Sequence, residues 1–156
     1  MEARLNVFGS ALAPKLVKYL VSADKVVTDS TLPPAVLELV KIRASQINGC
    51  GGCLDMHTKE AAAAGESVLR LSLIAAWRDT NVFTEAERAA LALTEAGTRL
   101  ADGGGVGDEV WADAAKHFDE HELLALTAQI AIINAFNRLN VITRQVGGDY
   151  AVGAHA

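Results

Sequence analysis

The chain has 156 residues, of which 51% are hydrophobic and 5% aromatic, and its formal net charge is −5 at pH 7. This length suits a single domain, and the acidic balance argues against a nucleic-acid-binding surface. The longest apolar runs, such as residues 130–133, are far shorter than the roughly 20 residues that cross a bilayer, so we expect no membrane partner. The mean hydropathy of +0.21 favours a subunit interface that covers surplus apolar surface.

Residues 1–31 are predicted to form an N-terminal helix and a connector. The first ten residues lack the basic start and long apolar region of a signal peptide, so we expect a cytoplasmic protein. Residues 11–22 show helical spacing of apolar side chains, with Pro14 near the start, where a helix tolerates it. The polar segment 24–31 is predicted to connect this helix to the next.

Residues 32–146 are predicted to form the core of the domain, and residues 147–156 a flexible tail that begins at a pair of glycines. Within the core, Leu32-Pro33-Pro34 can end one element and open another. Apolar positions then recur three and four residues apart up to residue 47. This pattern predicts a helix over residues 34–47 that stops at Asn48-Gly49.

The remaining helices follow from apolar spacing and from end signals. They are predicted over residues 54–64, 67–77, 84–100, 108–118 and 120–145. Cap signals at Thr84 and Asp119 mark the starts of two of them. The glycine-rich segment 101–107 is predicted to be a loop. Because no segment alternates convincingly with period two, the prediction is an all-α fold of about seven helices.

Both cysteines lie in segment 48–57, at the predicted start of a helix. Three glycines surround Cys50, so the backbone there is not expected to continue a helix, which is predicted to begin after Cys53. Cys53 and His57 then lie four residues apart on one helical face. A helix N-terminus and a nearby imidazolium bring a thiol pKa from about 8.5 to about 6.5, which makes most of it the nucleophilic thiolate. Asp55 would oppose this shift.

The spacing of Cys50 and Cys53 allows the Cα separation of about 5–6 Å that a disulfide needs. We therefore interpret the two residues as a cycling dithiol/disulfide pair. Two other interpretations stay open. The thiols could simply pack in the core, or they could join His57 and the pair His117 and His121 in a zinc site. A predicted helix start lies between the last two histidines and separates their faces, which disfavours zinc.

A long-range pattern joins the cysteine segment to Glu38, which spacing alone makes a favourable first-turn carboxylate. Eleven residues separate Glu38 from Cys50-Gly51-Gly52-Cys53, and three separate Cys53 from His57. This pattern resembles the signature of the AhpD-type alkylhydroperoxidases, which belong to the carboxymuconolactone decarboxylase superfamily. Other segments that resemble this family are Leu32-Pro33-Pro34, Trp77, residues 83–88 and residues 134–139. The resemblance covers residues 32–144.

The resemblance implies an all-helical trimer or hexamer with thiol peroxidase activity and no metal, flavin or haem cofactor. It implies that Cys53 attacks the peroxide and that Cys50 resolves the sulfenic acid to a disulfide. Glu38 and His57 are implied to relay protons. The implied partners are a hydroperoxide and a dithiol reductant, which is dihydrolipoamide on a lipoyl-carrier protein in the best-known members. Gly51-Gly52 departs from the family pattern, because well-studied members carry a histidine between the cysteines.

The first functional hypothesis is therefore a thiol-dependent peroxidase whose catalytic residues are Cys53, Cys50, His57 and Glu38. One alternative is a general thiol–disulfide oxidoreductase that acts on protein or small-molecule disulfides. Another is a non-enzymatic helical oligomer that senses oxidants or binds zinc. A measured redox potential and assays with disulfide substrates would distinguish the first alternative from the peroxidase. Metal analysis of the pure protein would distinguish the second.

Overall fold

A computed structural model of the chain describes residues 2–7 and 9–154, and these residues contain helices and no strand. The elements are α1 (Ala13–Thr28), α2 (Pro34–Asn48), α3 (Gly51–Ala63), α4 (Val68–Leu73), a 3₁₀-helix (Ile74–Asp79), α5 (Glu85–Thr98), α6 (Leu100–Gly103), α7 (Asp108–Ala114) and α8 (Glu120–Thr143). The prediction of an all-α fold is confirmed. Across the described ranges, no helix combines the length and apolar character needed to cross a membrane.

Helix α2 lies at the centre of the fold and packs against α3, α5, α8 and the 3₁₀-helix. Apolar residues occupy successive positions along it, so it is buried on most sides rather than along one stripe. Its buried residues are Val36, Leu37, Leu39, Val40, Lys41, Ile42, Ala44 and Ser45. A small core cluster, formed by Ala44, Cys50, Cys53 and Ile133, places both cysteines between α2 and α8. The central helix therefore holds the cysteine segment in place.

Capping boxes fix the starts of α5 and α8. Thr84 Oγ1 accepts the backbone N–H of Glu87, and the Glu87 carboxylate accepts the backbone N–H of Thr84. Asp119 and Glu122 make the same reciprocal pair at the start of α8. Both cap signals predicted from the sequence are thus present, because four residues suffice to make each of them.

Helix α1 is longer than predicted, because it runs to Thr28 instead of ending at Ser22. Val27 explains the extension, since it is 4% exposed and packs into the core with α2 and α8. The polar residues Lys25 and Thr28 beside it, which favour a connector in the sequence, lie exposed on the outer face of the helix. The connector itself is reduced to residues 29–33.

Helix α3 begins at Gly51 rather than at Leu54, because Cys50 takes the capping position. Further along, the predicted helix 67–77 divides at Ile74 into α4 and the 3₁₀-helix. Within that second piece, Ala76 leaves helical geometry with φ −115° and ψ 26°. A short helix, α6, also forms at the start of the segment that was predicted to be a loop.

The predicted tail, residues 147–156, lies against α3 as far as it is described. Asp55 Oδ2 accepts the backbone N–H groups of Gly148 at 2.6 Å and Tyr150 at 2.9 Å. Lys59 Nζ donates to the carbonyl oxygens of the same two residues, at 3.1 and 2.9 Å. Residues 155–156 of this tail lie outside the described residues, and its mobility stays a prediction.

Candidate active site

Cys50 and Cys53 are bonded as a disulfide at the start of α3, with their Cα atoms 5.4 Å apart. Gly49 allows this placement, because its left-handed backbone (φ 66°) turns the chain from the end of α2 into α3. Cys50 is the N-cap residue of α3, and its Sγ accepts the backbone N–H of Cys53 at 3.3 Å. A thiolate here is stabilised by the N–H groups of the first helical turn.

His57 lies one turn along α3 from Cys53 and contacts Glu38 on α2. Its Nδ1 is 3.1 Å from Glu38 Oε2. Burial raises the pKa of Glu38, but the hydrogen bond with His57 and the charge of Lys41 outweigh it, so this pKa lies below its ordinary value of 4.5. Glu38 is therefore ionised at neutral pH and accepts a hydrogen bond from Nδ1–H. This leaves Nε2 as the ring nitrogen that can exchange a proton.

Polar side chains from α1, α2 and α8 continue the network of polar contacts that begins at His57 and Glu38, and sequence analysis missed them. Lys41 Nζ lies 3.0 Å from Glu38 Oε1 and 3.9 Å from Asp24 Oδ2, and the residue is 6% exposed. Gln129 Nε2 donates to Asp24 Oδ1 at 2.9 Å. Gln129 Oε1 is buried without a hydrogen-bond partner in the described part of the chain. The available signal was the position of Lys41 between the apolar residues Val40 and Ile42, because buried lysines are almost always paired.

Helix α8 contributes asparagines at every third position, at 134, 137 and 140. Asn48 Nδ2 donates to the side-chain oxygens of Asn134 and Asn137, both at 2.9 Å, and so joins the end of α2 to α8. Asn140 Nδ2 donates to Cys53 Sγ at 3.3 Å. Sequence analysis missed the contact of Asn140 with the sulfur. Its signal was the regular spacing of asparagines along a helix that is rich in apolar residues.

Cys53 and His57 share a cavity of about 370 Å³ that is enclosed by α1, α2, α3 and α8. Its apolar wall consists of Val17, Val21, Met56, Ile133 and Phe136. Lys41, Gln129 and Asn140 supply polar groups to the same cavity. Among the described residues that line it, the cysteine is Cys53, so this is the sulfur that a molecule inside would meet. We call this space the Cys53 cavity.

The structure brings together the four side chains predicted as catalytic, which are Cys50, Cys53, His57 and Glu38. Their roles stay predictions. Asp55, which was expected to oppose thiolate formation, is instead paired with Lys59 at 2.6 Å. The hydrogen bond from Lys59, with the backbone N–H groups of Tyr150 and Gly148, lowers the pKa of Asp55 from 3.8 to about 2. Its charge is therefore offset locally.

The zinc alternative requires four ligands at one point. Within residues 2–7 and 9–154, no group of three or more histidine, cysteine, aspartate or glutamate side chains is arranged to hold a metal ion. The ligand set considered from the sequence, in which His117 and His121 join the cysteine segment, is therefore not assembled by these residues.

Comparison with known proteins gives consistent matches. The model of the carboxymuconolactone decarboxylase family matches residues 14–96. The uncharacterised protein YdfG of Bacillus subtilis (strain 168) is 35% identical over 141 residues, which cover 90% of this chain and 94% of YdfG. The solved structure of ATU0492 from Agrobacterium tumefaciens, a protein of unknown function linked by name to the antioxidant defence protein AhpD, superposes with a TM-score of 0.87. It is 34% identical, and the match covers 96% of this chain and all of that one.

A more distant structural match is the debrominase Bmp8, with a TM-score of 0.78 and 20% sequence identity. This match covers 87% of this chain and 73% of Bmp8. At that level of identity it shows a common fold and carries nothing about the reaction.

Proposed function

The chain belongs to the carboxymuconolactone decarboxylase family and has an AhpD-like fold, and from this premise we propose that it is a thiol-dependent peroxidase that reduces organic hydroperoxides. The observation that carries the proposal is a disulfide-forming pair, Cys50 and Cys53, whose second sulfur shares a cavity with His57. The two sulfurs supply both electrons, so the reaction as proposed uses no further cofactor.

In the first step, the Cys53 thiolate attacks the outer oxygen of the hydroperoxide, and the O–O bond breaks. Cys53 becomes a sulfenic acid, while the alkoxide takes from His57 the proton that Cys53 had given up and leaves as the alcohol. In the second step, Cys50 attacks the sulfenic sulfur and the disulfide forms. The hydroxide that departs takes the Cys50 proton and becomes water.

Three features support Cys53 as the attacking sulfur. It lines the Cys53 cavity together with His57, whose proton-exchanging nitrogen is set by the carboxylate of Glu38. Asn140 donates a hydrogen bond to its Sγ, which favours the thiolate and a developing negative charge. Cys50 is 1% exposed, against 4% for Cys53, and is not among the described residues that line this cavity.

A dithiol reductant completes the cycle, and we propose a dihydrolipoamide-type dithiol, free or on a lipoyl-carrier protein. Turnover then requires a compartment in which thiols are kept reduced, so we place the reaction in the cytoplasm. The same compartment would supply the hydroperoxides that the apolar wall of the Cys53 cavity favours.

The general oxidoreductase alternative is less well supported. Exchange with a protein disulfide requires the attacking sulfur to reach the surface of the partner. Cys50 and Cys53 are 1% and 4% exposed, so a folded protein partner meets neither of them directly. A small molecule that fits inside the cavity does not face this barrier.

The proposal is tested by mass spectrometry of reduced protein after brief treatment with tert-butyl hydroperoxide. Wild-type protein is expected to lose two hydrogens as the disulfide forms. Cys50→Ser is expected to stop at the sulfenic acid on Cys53, and Cys53→Ser to show neither adduct nor peroxide consumption. The matched pair thus separates attack from resolution. Equal peroxide consumption by Cys53→Ser and the wild type would contradict the proposal.

A further inference from the structure

A second cavity, of about 330 Å³, lies beside Cys50. The start of α3 forms one side of it, through Gly49, Cys50 and Gly51, and residues 141–147 contribute most of the other side. Asn140 is the lining residue that it shares with the Cys53 cavity, as far as the chain is described. The two cysteines of one disulfide therefore line two different cavities. We call the second space the Cys50 cavity.

The tail holds the wall of the Cys50 cavity in place. At Gly147 the tail approaches the α3 backbone so closely that a Cβ would collide with the carbonyl of Gly51. Immediately afterwards, the Asp55 carboxylate accepts the backbone N–H groups of Gly148 and Tyr150. These contacts join the chain on the far side of the cavity to α3.

The chemistry of disulfide exchange indicates which of the two sulfurs an external thiolate attacks. An attacking thiolate approaches along the line of the S–S bond, from the side of the sulfur that it attacks, and the other sulfur leaves as a thiolate. The better leaving group is the sulfur whose thiolate is more stable. Each sulfur accepts one hydrogen bond at 3.3 Å, Cys50 from the backbone N–H of Cys53 and Cys53 from Asn140 Nδ2. Cys53 has His57 one turn along the helix in addition, so its thiolate is the more stable one. Attack is therefore favoured at the sulfur of Cys50, the cysteine that lines the second cavity.

We propose that the Cys50 cavity is the binding site of a small dithiol reductant, separate from the site at which the hydroperoxide reacts. This inference rests on the proposed function and deepens it. One thiolate of the reductant attacks Cys50 Sγ, the Cys50–Cys53 bond breaks, and Cys53 leaves as the thiolate. The second thiol then attacks the reductant's own bound sulfur, displaces Cys50, which takes up a proton, and forms a cyclic disulfide. Two electrons pass from the dithiol to the protein.

The charged residues of the two cavities indicate which class of dithiol binds at the Cys50 cavity. Among the described residues that line the Cys50 cavity, the charged one is Arg144, which is exposed. In the Cys53 cavity, the Lys41 ammonium lies between two carboxylates, those of Glu38 and Asp24. A dithiol that carries a carbonyl or carboxylate group on a flexible arm therefore has its polar partner at the Cys50 cavity, where the guanidinium can donate to it.

The test uses two variants that each fill one cavity at a partly exposed valine, Val141→Trp for the Cys50 cavity and Val21→Trp for the Cys53 cavity. Two half-reactions are followed by stopped flow on full-length protein. They are reduction of the disulfide form by dihydrolipoamide, and oxidation of the dithiol form by tert-butyl hydroperoxide. Because exchange depends on access to the attacked sulfur, Val141→Trp should slow reduction by about tenfold and change oxidation by less than about twofold. Val21→Trp should do the reverse.

Reduction by dihydrolipoamide that is unchanged in Val141→Trp, or that slows equally in both variants, would overturn the proposal. Val146→Trp, at another exposed residue of the same cavity, replaces Val141→Trp if that variant loses its fold. The reductive half-reaction needs no peroxide. Its rate can therefore be measured on chemically oxidised protein even if the peroxidase proposal fails. As a second readout, brief reaction with a monothiol should leave the mixed disulfide on Cys50, and a mixed disulfide on Cys53 would contradict attack at Cys50.

Discussion

Glu38 lies between two basic side chains, with His57 Nδ1 at 3.1 Å and Lys41 Nζ at 3.0 Å. Both contacts favour the carboxylate over the carboxylic acid, and they outweigh its burial. The anion in turn fixes the tautomer of His57. In the proposed reaction it would also stabilise the imidazolium that forms when the ring takes a proton from Cys53. Glu38, which spacing in the sequence suggests only as a partner of the helix dipole, is thus hydrogen-bonded to His57, the candidate proton carrier.

Glu38→Gln is expected to slow oxidation of the reduced protein by tert-butyl hydroperoxide by about 100-fold, because general acid–base assistance is lost while the thiols remain. Stopped-flow rates measure this. Glu109→Gln, a change of the same charge at an exposed site, is the control. Because the pKa of Glu38 lies below 4.5, its contribution in the wild type should persist at pH 5 and disappear only as the pH falls through that lowered pKa. A variant as fast as the wild type would remove Glu38 from the relay.

At the scale of elements, the start of α3 is shaped by the helix that directly precedes it and by two segments that are distant in sequence. Helix α2 delivers the chain through Gly49, α8 supplies Asn140 to Cys53, and the tail passes over Gly51. A Cβ at Gly51 would lie 3.9 Å from the backbone nitrogen of Gly147, and one at Gly52 would meet no atom within 4 Å, so the close approach restricts the residue at 147. The pair Gly51-Gly52, a departure from the family pattern, thus lies where the tail and the dithiol meet.

Gly147→Ala is expected to displace the tail, because a methyl group there collides with the carbonyl of Gly51. Hydrogen exchange followed by mass spectrometry should show faster exchange over residues 147–154, while α2 and α5 keep their protection. Gly107→Ala is the matched control, since its φ is −68° and a Cβ there meets no atom within 4 Å. If both variants exchange alike in the tail, the contact at Gly147 does not hold it.

The sequence could predict features that depend on neighbouring residues, and it could not predict those that depend on packing between distant segments. The caps at Thr84 and Asp119 and the relation of Cys53 to His57 were predictable, because each depends on residues within four positions of one another. The continuation of α1 to Thr28 was not, because it depends on burial of Val27 against helices far along the chain. The contact of Asn140 with Cys53 spans 87 positions, and only the packing of α8 on α3 creates it.

At the scale of the whole molecule, α1 has two roles. Its Val17, Val21 and Asp24 line the Cys53 cavity, so it forms part of the enclosure of the candidate site. A neighbouring face of α1, extended by its N-cap residue Leu12, is apolar and faces solvent, with Leu12, Leu16 and Tyr19 exposed by 68%, 39% and 63%. These three residues, spaced by four and three positions, form one stripe, which we call the α1 stripe.

We expect a second copy of the chain to cover the α1 stripe in a homo-oligomer, because exposed apolar stripes of this kind mark interaction surfaces and the mean hydropathy is +0.21. Light scattering after size-exclusion chromatography should give wild-type protein the mass of a trimer or hexamer of the 16.4 kDa chain. Leu16→Glu with Tyr19→Glu should shift it to the monomer, because each glutamate replaces apolar burial worth about 2 kcal/mol with a charge that must be desolvated.

Lys18→Glu is the matched control for this shift, because it adds negative charge on α1 away from the stripe. It should therefore keep the mass of the wild type. If the wild-type protein is a monomer, the expected interface does not exist. If the double variant keeps the mass of the wild type, the interface lies on another surface.

Since α1 also encloses the Cys53 cavity, dissociation should loosen that wall and raise the KM for tert-butyl hydroperoxide more than it lowers kcat. The reduction rate with dihydrolipoamide should hold, because the Cys50 cavity is built from α3, α8 and the tail.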